Sequence, residues 1–230
     1  CFETLRLLCS RPEVWGSRFT AGLAQVLSPG ERLAIPGEAE RVVFVTSDAT
    51  PDLHGACDWT FNYASQELVI IDLKELEEEL DGEDTWSVAI AVAELLGLVA
   101  FAVARAGDWS GRLVLYLGDT QNVQDWLRSR APRGRVARRV LRILEFLEIK
   151  FGFELIAGYV RTYHNKTADY ITRSTPEEFR AEMERLGLRV ISTTAAWRDI
   201  AHRGLREQTA VVLGLDQEDD RVAMQLKARR

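Results

Sequence analysis

The sequence predicts an α/β fold in which a mixed five-stranded sheet is flanked by helices. Three strand-like segments come first along the chain, and apolar helical segments then alternate with further strand-like segments. A meander of strands followed by alternating helices and strands favours a mixed sheet covered by helices. Hydrophobic residues make up 47% of the 230 residues, which is enough for a packed core and argues against general disorder.

The predicted elements follow the order βββ-α-β-αα-β-α. Helices are identified by apolar residues at helical spacing, and strands by β-branched or alternating runs. The predicted strands lie at about residues 41–46, 55–62, 67–72, 112–117 and 153–163. The predicted helices lie at about 86–105, 122–130 and 135–151, with another beginning near 167. Gly97 falls inside the first of these helices, where Ala or a larger residue is expected to pack better.

The flanks of this core have signals of their own. Residues 1–40 are predicted to form a helical connector, 41–174 the α/β domain, and 175–230 a helical C-terminal extension or linker. The extension opens on a capping box, Thr175-Pro176-Glu177-Glu178, and Gly187 is a plausible stop for that helix. A further helix is predicted at about 194–202. Because the sequence begins with Cys, we expect a piece cut from a longer polypeptide.

Charge is distributed unevenly along the chain. The net charge of −6 argues against a protein that coats nucleic acid nonspecifically. Nine acids and one Lys lie between Glu67 and Asp84, whereas seven arginines and no acid lie between Arg128 and Arg142. The arginine stretch is either a solvated helix face or a local site for a phosphate backbone. Three cysteines cannot form a disulfide framework, which favours an intracellular, reducing location in the cytoplasm or nucleus.

One apolar segment, Val88 to Ala104, approaches the length of a membrane span. Its seventeen residues are marginal for a bilayer, and its only charge, Glu94, lies near the middle. A central carboxylate costs roughly 2.5 kcal/mol or more in a membrane. We therefore expect a helix buried in a protein core, with no membrane as partner.

Four acids occupy positions where an unpaired charge is expensive: Asp48, Glu94, Asp119 and Asp169. Asp48 and Asp119 follow apolar strand segments, Glu94 is the lone charge of the apolar helix, and Asp169 opens the last helix of the domain. Each acid alone could cap a helix, form an ion pair or support a turn. Ligand sites in α/β folds lie beyond the carboxyl ends of strands, where Asp48 and Asp119 are expected. Clusters of oxygen ligands suit Mg²⁺ or Mn²⁺.

Four motifs around these acids resemble ribonuclease H of the retroelement, reverse transcriptase-associated type. The resemblance covers about residues 41–174, and it combines motifs that are individually weak in the expected order and spacing. The motifs are Thr46-Ser47-Asp48-Ala49-Thr50 followed by Gly55-Ala56, Ala93-Glu94-Leu95-Leu96, Gly118-Asp119-Thr120-Gln121-Asn122-Val123, and Tyr163-His164-Asn165-Lys166-Thr167-Ala168-Asp169-Tyr170-Ile171-Thr172-Arg173.

The resemblance implies a metal-dependent endonuclease that hydrolyses the RNA strand of RNA–DNA hybrids. It implies that Asp48, Glu94, Asp119 and Asp169 hold two Mg²⁺ ions, for which Mn²⁺ can substitute, with Asp48 bridging the two. Two such ions would stabilise the attacking and leaving oxygens of a phosphodiester. Contacts to the 2′-hydroxyl across the minor groove would select RNA.

The resemblance also suggests residues that contact nucleic acid. Some family members place a basic helix and loop where the arginine stretch falls, which favours phosphate contacts. His164 is a candidate for proton transfer, although it directly precedes Asn165, whereas many family members carry a histidine several residues before the last Asp. The predicted nucleic-acid-binding residues are Asn122, Arg128, Arg130, Arg133 and Arg135.

The flanks fit a retroelement polyprotein, in which an adjoining reverse transcriptase domain or a larger assembly would be the partner. A second interpretation is a catalytically silent ribonuclease H-like scaffold or nucleic-acid-binding module, because a fold can outlast its chemistry. A related polynucleotidyl transferase or exonuclease is a third. The four acids favour the enzyme.

Overall fold

The structure, a computed structural model, describes residues 42–69, 85–132 and 134–200. The predicted connector at 1–40, most of the acidic stretch, Arg133 and the chain beyond residue 200 lie outside the described residues. The division of the chain into three segments stays a prediction.

A mixed sheet forms the centre of the domain. Its order is β5-β4-β1-β2-β3-β6, in which β1, β4 and β5 run parallel and β2 is antiparallel to both of its neighbours. The sixth strand pairs in parallel with β3 at one edge. The strands are β1 Val42–Ala49, β2 Leu53–Asp58, β3 Tyr63–Leu68, β4 Leu113–Gly118, β5 Glu154–Tyr159 and β6 Arg189–Val190.

Helices cover this sheet in the predicted order. They are α1 Thr85–Arg105, α2 Gln121–Ser129, α3 Arg135–Phe151, α4 Lys166–Arg173, α5 Pro176–Arg185 and α6 Thr194–Asp199. The order βββ-α-β-αα-β-α and the mixed sheet are therefore confirmed. The predicted count of five strands was one too low. The sixth strand, β6, has only two residues, which is too short for a strand pattern to be recognised in the sequence.

Adjacent residues of β2 show that α1 and α4 lie on opposite faces of the sheet. Successive side chains of a strand point to opposite faces. The ring of His54 packs against Gly97 of α1, where an added Cβ would come within 2.1 Å of it. A Cβ on Gly55 would instead come within 2.6 Å of Ile171 in α4. Gly97 is thus explained by the ring that fills its place, and the expectation that Ala would suit this helix better was wrong.

Each face of the sheet has its own core. The larger core lies on the α1 face and includes Leu95, Phe101 and Trp109, together with Trp197 of α6. The smaller one, on the α4 face, joins Ile171 to Phe179 of α5. Burial of apolar surface on both faces fixes the strands whose ends carry the acids.

The second and third strands begin earlier than predicted. Asp58 ends β2 and accepts hydrogen bonds through Oδ1 from the backbone N–H groups of Thr60 and Phe61, which tightens the turn into β3. Asn62 completes that turn with a left-handed φ of 59°. The residues of β3 are mostly polar although several are buried, so the apolar pattern predicted this strand too late in the chain.

Later elements follow the sequence signals more closely. The capping box at Thr175 and Glu178 is present, and Gly187 follows α5 with a left-handed φ of 72°. The fifth strand ends at Tyr159, earlier than predicted, and a 3-10 turn at Thr162–His164 leads into α4. Within the described ranges, no helix is long and apolar enough to cross a membrane.

Replacing Gly55 by Ala should separate α4 from the sheet. Its Cβ would lie 2.6 and 2.8 Å from two carbons of Ile171, which is too close for real atoms. Overpacking of this kind costs about 1–3 kcal/mol, measured as the free energy of unfolding in urea. The control is Gly107→Ala, where nothing lies within 4 Å, so a change within about 0.5 kcal/mol is expected. Equal stability of the two variants would contradict the close approach of α4.

Candidate active site

Asp48 is the penultimate residue of β1, so the strand extends past the acid instead of ending before it. It pairs with Gly55 of β2 and therefore faces α4. There, the Thr172 hydroxyl donates to Asp48 Oδ2 at 2.8 Å. Burial raises the pKa of Asp48 to about 6, the Thr172 hydrogen bond opposes this shift, and the charges of Asp119 and Asp169 add to it.

Glu94 enters the site from the other face of the sheet. Its side chain is 0% exposed, and the Tyr116 hydroxyl of β4 lies 2.5 Å from its Oε1, with Ser47 Oγ 3.0 Å beyond that hydroxyl. The second carboxylate oxygen, Oε2, is buried without a hydrogen-bond partner. Burial raises the pKa of Glu94 to about 8, and the hydroxyls of Thr120 and Tyr116 offset part of this effect.

Asp119 directly follows the last residue of β4, next to the end of β1. Its charge adds to the rise in the pKa of both Asp48 and Glu94. Gly118 lets the chain pass close to Glu94, because a Cβ there would lie 2.8 Å from Glu94 Oε1 and 2.5 Å from the Tyr116 hydroxyl. The N-cap residue of the helix that follows, α2, is Thr120 and not Asp119.

Asp169 lies in the first turn of α4 and forms an ion pair within that helix. Arg173 Nε donates to its Oδ1 at 2.7 Å. Thr172, on the same helix, places its hydroxyl 3.0 Å from the main-chain oxygen of Asp169 while it contacts Asp48. One hydroxyl therefore links the strand and the helix that carry two of the four acids.

A further contact holds α4 on β1. The buried side chain of Asn165, directly before α4, donates through Nδ2 to the main-chain oxygen of Ser47 at 2.9 Å. The backbone N–H of Asp169 in turn donates to the Asn165 main-chain oxygen at 3.0 Å. Asn165 thus places the first turn of the helix beside Asp48.

The structure brings all four predicted acids to one edge of the sheet. The charges of Asp119 and Asp169 add to the rise in the pKa of Asp48, and the charges of Asp48 and Asp119 add to the rise in the pKa of Glu94. Within the described part of the chain, no three His, Cys, Asp or Glu side chains converge tightly enough to hold a metal ion as they stand.

The chemistry of these groups nevertheless fits a hard divalent cation. All four acids offer oxygen ligands, which Mg²⁺ and Mn²⁺ prefer. Three of them have one oxygen held by a side chain of this protein: Asp48 by Thr172, Glu94 by Tyr116 and Asp169 by Arg173. The unpartnered Oε2 of Glu94 is a buried polar atom of the kind that a bound ion would satisfy.

The predicted nucleic-acid-binding residues fall into different surroundings. Arg128 is exposed near the end of α2, and its Nε donates to the main-chain oxygen of Ala157 at 3.3 Å. Arg130 is engaged internally, because its guanidinium contacts both carboxylate oxygens of Glu148 at 2.8–3.0 Å and the oxygen of Leu155 at 2.8 Å. This guanidinium already has three acceptors, which makes it a poorer candidate for phosphate than Arg128.

Two other predicted residues lie in the helical turns that follow β4 and β5. Asn122 is half-buried in the first turn of α2. His164 is exposed at the end of the 3-10 turn that precedes α4, and its ring lies 4.1 Å from that of Tyr163. Its role in proton transfer stays a prediction. Arg133 lies outside the described residues, as does the side chain of Arg135.

Sequence reasoning missed the residues that hold the acids: Tyr116, Thr172 and Asn165. In the sequence, Tyr116 is one more aromatic residue of an apolar strand. The role of its hydroxyl becomes clear only when the structure places Glu94 opposite it. Thr172 and Asn165 act on β1 from more than a hundred residues away in the chain. Their place in the motif around Asp169 is the signal that could have identified them.

The chain is similar in structure to an archaeal ribonuclease. No family profile and no curated protein matches the chain. Ribonuclease H1 from the halophilic archaeon Halobacterium salinarum is similar in structure, with a TM-score of 0.41 and 18% sequence identity, over 61% of this chain and 98% of that one. The mixed sheet and the order of elements are the features of this fold that the sequence predicted.

The raised pKa values of Asp48 and Glu94 predict how stability depends on pH. An acid whose pKa is higher in the folded state than in the unfolded chain stabilises the fold at low pH, and this contribution is lost as pH rises through the folded pKa. With pKa values of about 6 and 8 against ordinary values of 3.8 and 4.5, the loss extends from about pH 4 to pH 8.

The measurement is the free energy of unfolding in EDTA across that range. Between about pH 4 and pH 8, the free energy of unfolding should fall less for the double variant Asp48→Asn, Glu94→Gln than for the wild type. The difference should be on the order of a few kcal/mol. Glu177→Gln, at an exposed position of α5, should follow the wild-type curve. Parallel curves for the double variant and the wild type would contradict the burial described for the two acids.

Proposed function

We propose that this chain is a metal-dependent endonuclease that hydrolyses the RNA strand of RNA–DNA hybrids, of the type found in retroelements. The observation that carries the proposal is the meeting of Asp48, Glu94, Asp119 and Asp169 at one edge of a ribonuclease H-like sheet. Two strands and two helices position these four acids. The burial of Glu94 would be costly without a cation or another partner.

In this proposal, the four acids hold two Mg²⁺ ions, for which Mn²⁺ can substitute. When bound, such ions supply positive charge that stabilises the attacking and leaving oxygens of an in-line displacement at phosphorus. Asp48 is the acid best placed to serve both ions, since it interacts with Asp119 and Asp169 and also raises the pKa of Glu94.

The surrounding residues orient the acids. Thr172 holds one oxygen of Asp48 and Tyr116 one oxygen of Glu94, which leaves the second oxygen of each carboxylate to face a cation. The exposed guanidinium of Arg128, and of Arg138 on α3, can attract the phosphates of the substrate. Selection of RNA would depend on contacts to the 2′-hydroxyl.

The context of the enzyme is part of the proposal. A retroelement polyprotein would place a reverse transcriptase domain or a larger assembly next to this chain, and the enzyme would act in the cytoplasm or nucleus. The motif from Asn165 to Arg173 resembles the corresponding motif of retroelement ribonucleases H, and this resemblance supports the retroelement type. Its Asn, Asp, Thr and Arg also make contacts that hold α4 and its acid in place.

A scaffold without catalysis is the second candidate, and one observation favours it. Across the described ranges, no three potential ligands are arranged tightly enough for a metal ion. A scaffold would retain the fold and its surface contacts but would not bind Mg²⁺. Metal binding therefore separates the two candidates.

The test is cleavage of a labelled RNA–DNA hybrid in Mg²⁺ or Mn²⁺, with single-stranded RNA and duplex DNA run beside it. We expect cleavage of the RNA strand of the hybrid alone. Asp48→Asn and Asp119→Asn should each reduce the rate at least about 100-fold, since each removes several kcal/mol of charge stabilisation. Arg128→Gln should leave the site intact and weaken only hybrid binding, most strongly at low salt.

Two outcomes would contradict the proposal. Cleavage of duplex DNA at a similar rate would indicate a nuclease of another specificity. Absence of both cleavage and metal binding, the latter measured by calorimetry at millimolar Mg²⁺, would establish the scaffold.

A further inference from the structure

A row of exposed aromatic and basic side chains leads directly to the acidic site. It runs along the connection between β5 and α4, and we refer to it as the aromatic strip: Tyr159, Arg161, Tyr163, His164 and Lys166. Tyr159 is 49% exposed and Tyr163 is 55% exposed, so each ring presents a large part of its surface to solvent. No acidic residue occurs between Glu154 and Asp169, in a chain whose net charge is −6.

The strip is held in a defined conformation although its side chains face solvent. Backbone N–H groups of His164 and Asn165 donate to the oxygens of Arg161 and Thr162 at 2.7 and 2.9 Å, which closes the 3-10 turn. The buried Asn165 side chain anchors the end of that turn to β1.

The ring of Tyr163 is supported from two sides. The His164 ring lies 4.1 Å away, and Arg161 Nη1 lies 3.4 Å from the Tyr163 hydroxyl. The ring is therefore restrained by its neighbours while much of its surface stays accessible. A restrained aromatic surface loses little conformational entropy when another ring stacks on it.

Both ends of the strip adjoin residues of the acidic site. Asn165 immediately follows the 3-10 turn, and its main-chain oxygen accepts from the N–H of Asp169, so the end of the strip lies one helical turn, about 5.4 Å, before that acid. At the other end, Tyr159 pairs with Gly118, the residue that precedes Asp119.

We propose that the aromatic strip binds an unpaired stretch of nucleic acid that continues from the duplex at the acidic site. The inference rests on the proposed function for the position of that duplex. Bases inside a duplex are stacked on each other and offer no free face to Tyr163, whereas unpaired bases stack on exposed aromatic rings of any kind. Arg161 and Lys166 supply the positive charge that follows the phosphates of such a strand.

The experiment measures binding by fluorescence anisotropy in EDTA, using the full chain. The probes are a blunt RNA–DNA hybrid, hybrids with a six-nucleotide extension at each of the four ends in turn, and the same extensions built from abasic nucleotides. A single strand alone is a further probe. We expect at least one extension to tighten binding by about fivefold or more, and its abasic counterpart to lose that gain.

Variants at Tyr163 locate the effect. Tyr163→Phe keeps the ring and should retain the gain, whereas Tyr163→Ser should abolish it without changing affinity for the blunt hybrid. Phe44→Ser is the matched control, since Phe44 is a 43% exposed ring at the far end of β1, roughly 13 Å from Asp48.

The possible results separate this inference from the proposed function. If no extension increases affinity, or if abasic extensions increase it equally, the proposed role of the aromatic strip is wrong even if the hybrid is cleaved. Preference of the single strand over its abasic form, lost in Tyr163→Ser, would support the strip even if no cleavage occurs.

Discussion

The burial of Glu94 is the constraint on which the site depends. A carboxylate with no exposed surface requires compensation, and the protein supplies a hydrogen bond from Tyr116 to only one of its oxygens. That bond joins α1 to β4, so it also places the helix relative to the strand that leads to Asp119. Gly118 makes the approach feasible, because any side chain there would displace the pair. The other oxygen, Oε2, is buried without a hydrogen-bond partner, and the proposed cation would satisfy it.

Close packing on the opposite face completes the site. Gly55 allows α4 to lie directly on β2, and this contact brings Thr172 and Asp169 to Asp48. Without the glycine, the helix would shift outward and the acids on the two faces would no longer meet at one edge. The site is therefore a product of two layers, each of which approaches the sheet at a position that lacks a Cβ.

Much of the fold and the identity of the acids could be predicted from sequence, because both depend on local patterns. Glu94 is conspicuous as a lone charge in an apolar helix, and Asp48 and Asp119 lie at the ends of apolar strands. The supporting contacts could not be predicted, since they join distant residues: Tyr116 meets Glu94 across 22 positions and Thr172 meets Asp48 across 124. The burial of the polar residues of β3 could not be predicted either, because it results from tertiary contacts and leaves no apolar periodicity in the sequence.

The central claim is that the four carboxylates form a binding site for divalent cations. Anomalous diffraction from crystals grown with Mn²⁺ tests it most directly, because manganese identifies itself by its own scattering. We predict anomalous density between Asp48 and at least two of Glu94, Asp119 and Asp169, and no such density in crystals of Asp48→Asn. Crystals in Mn²⁺ with no anomalous density at these residues would contradict the account.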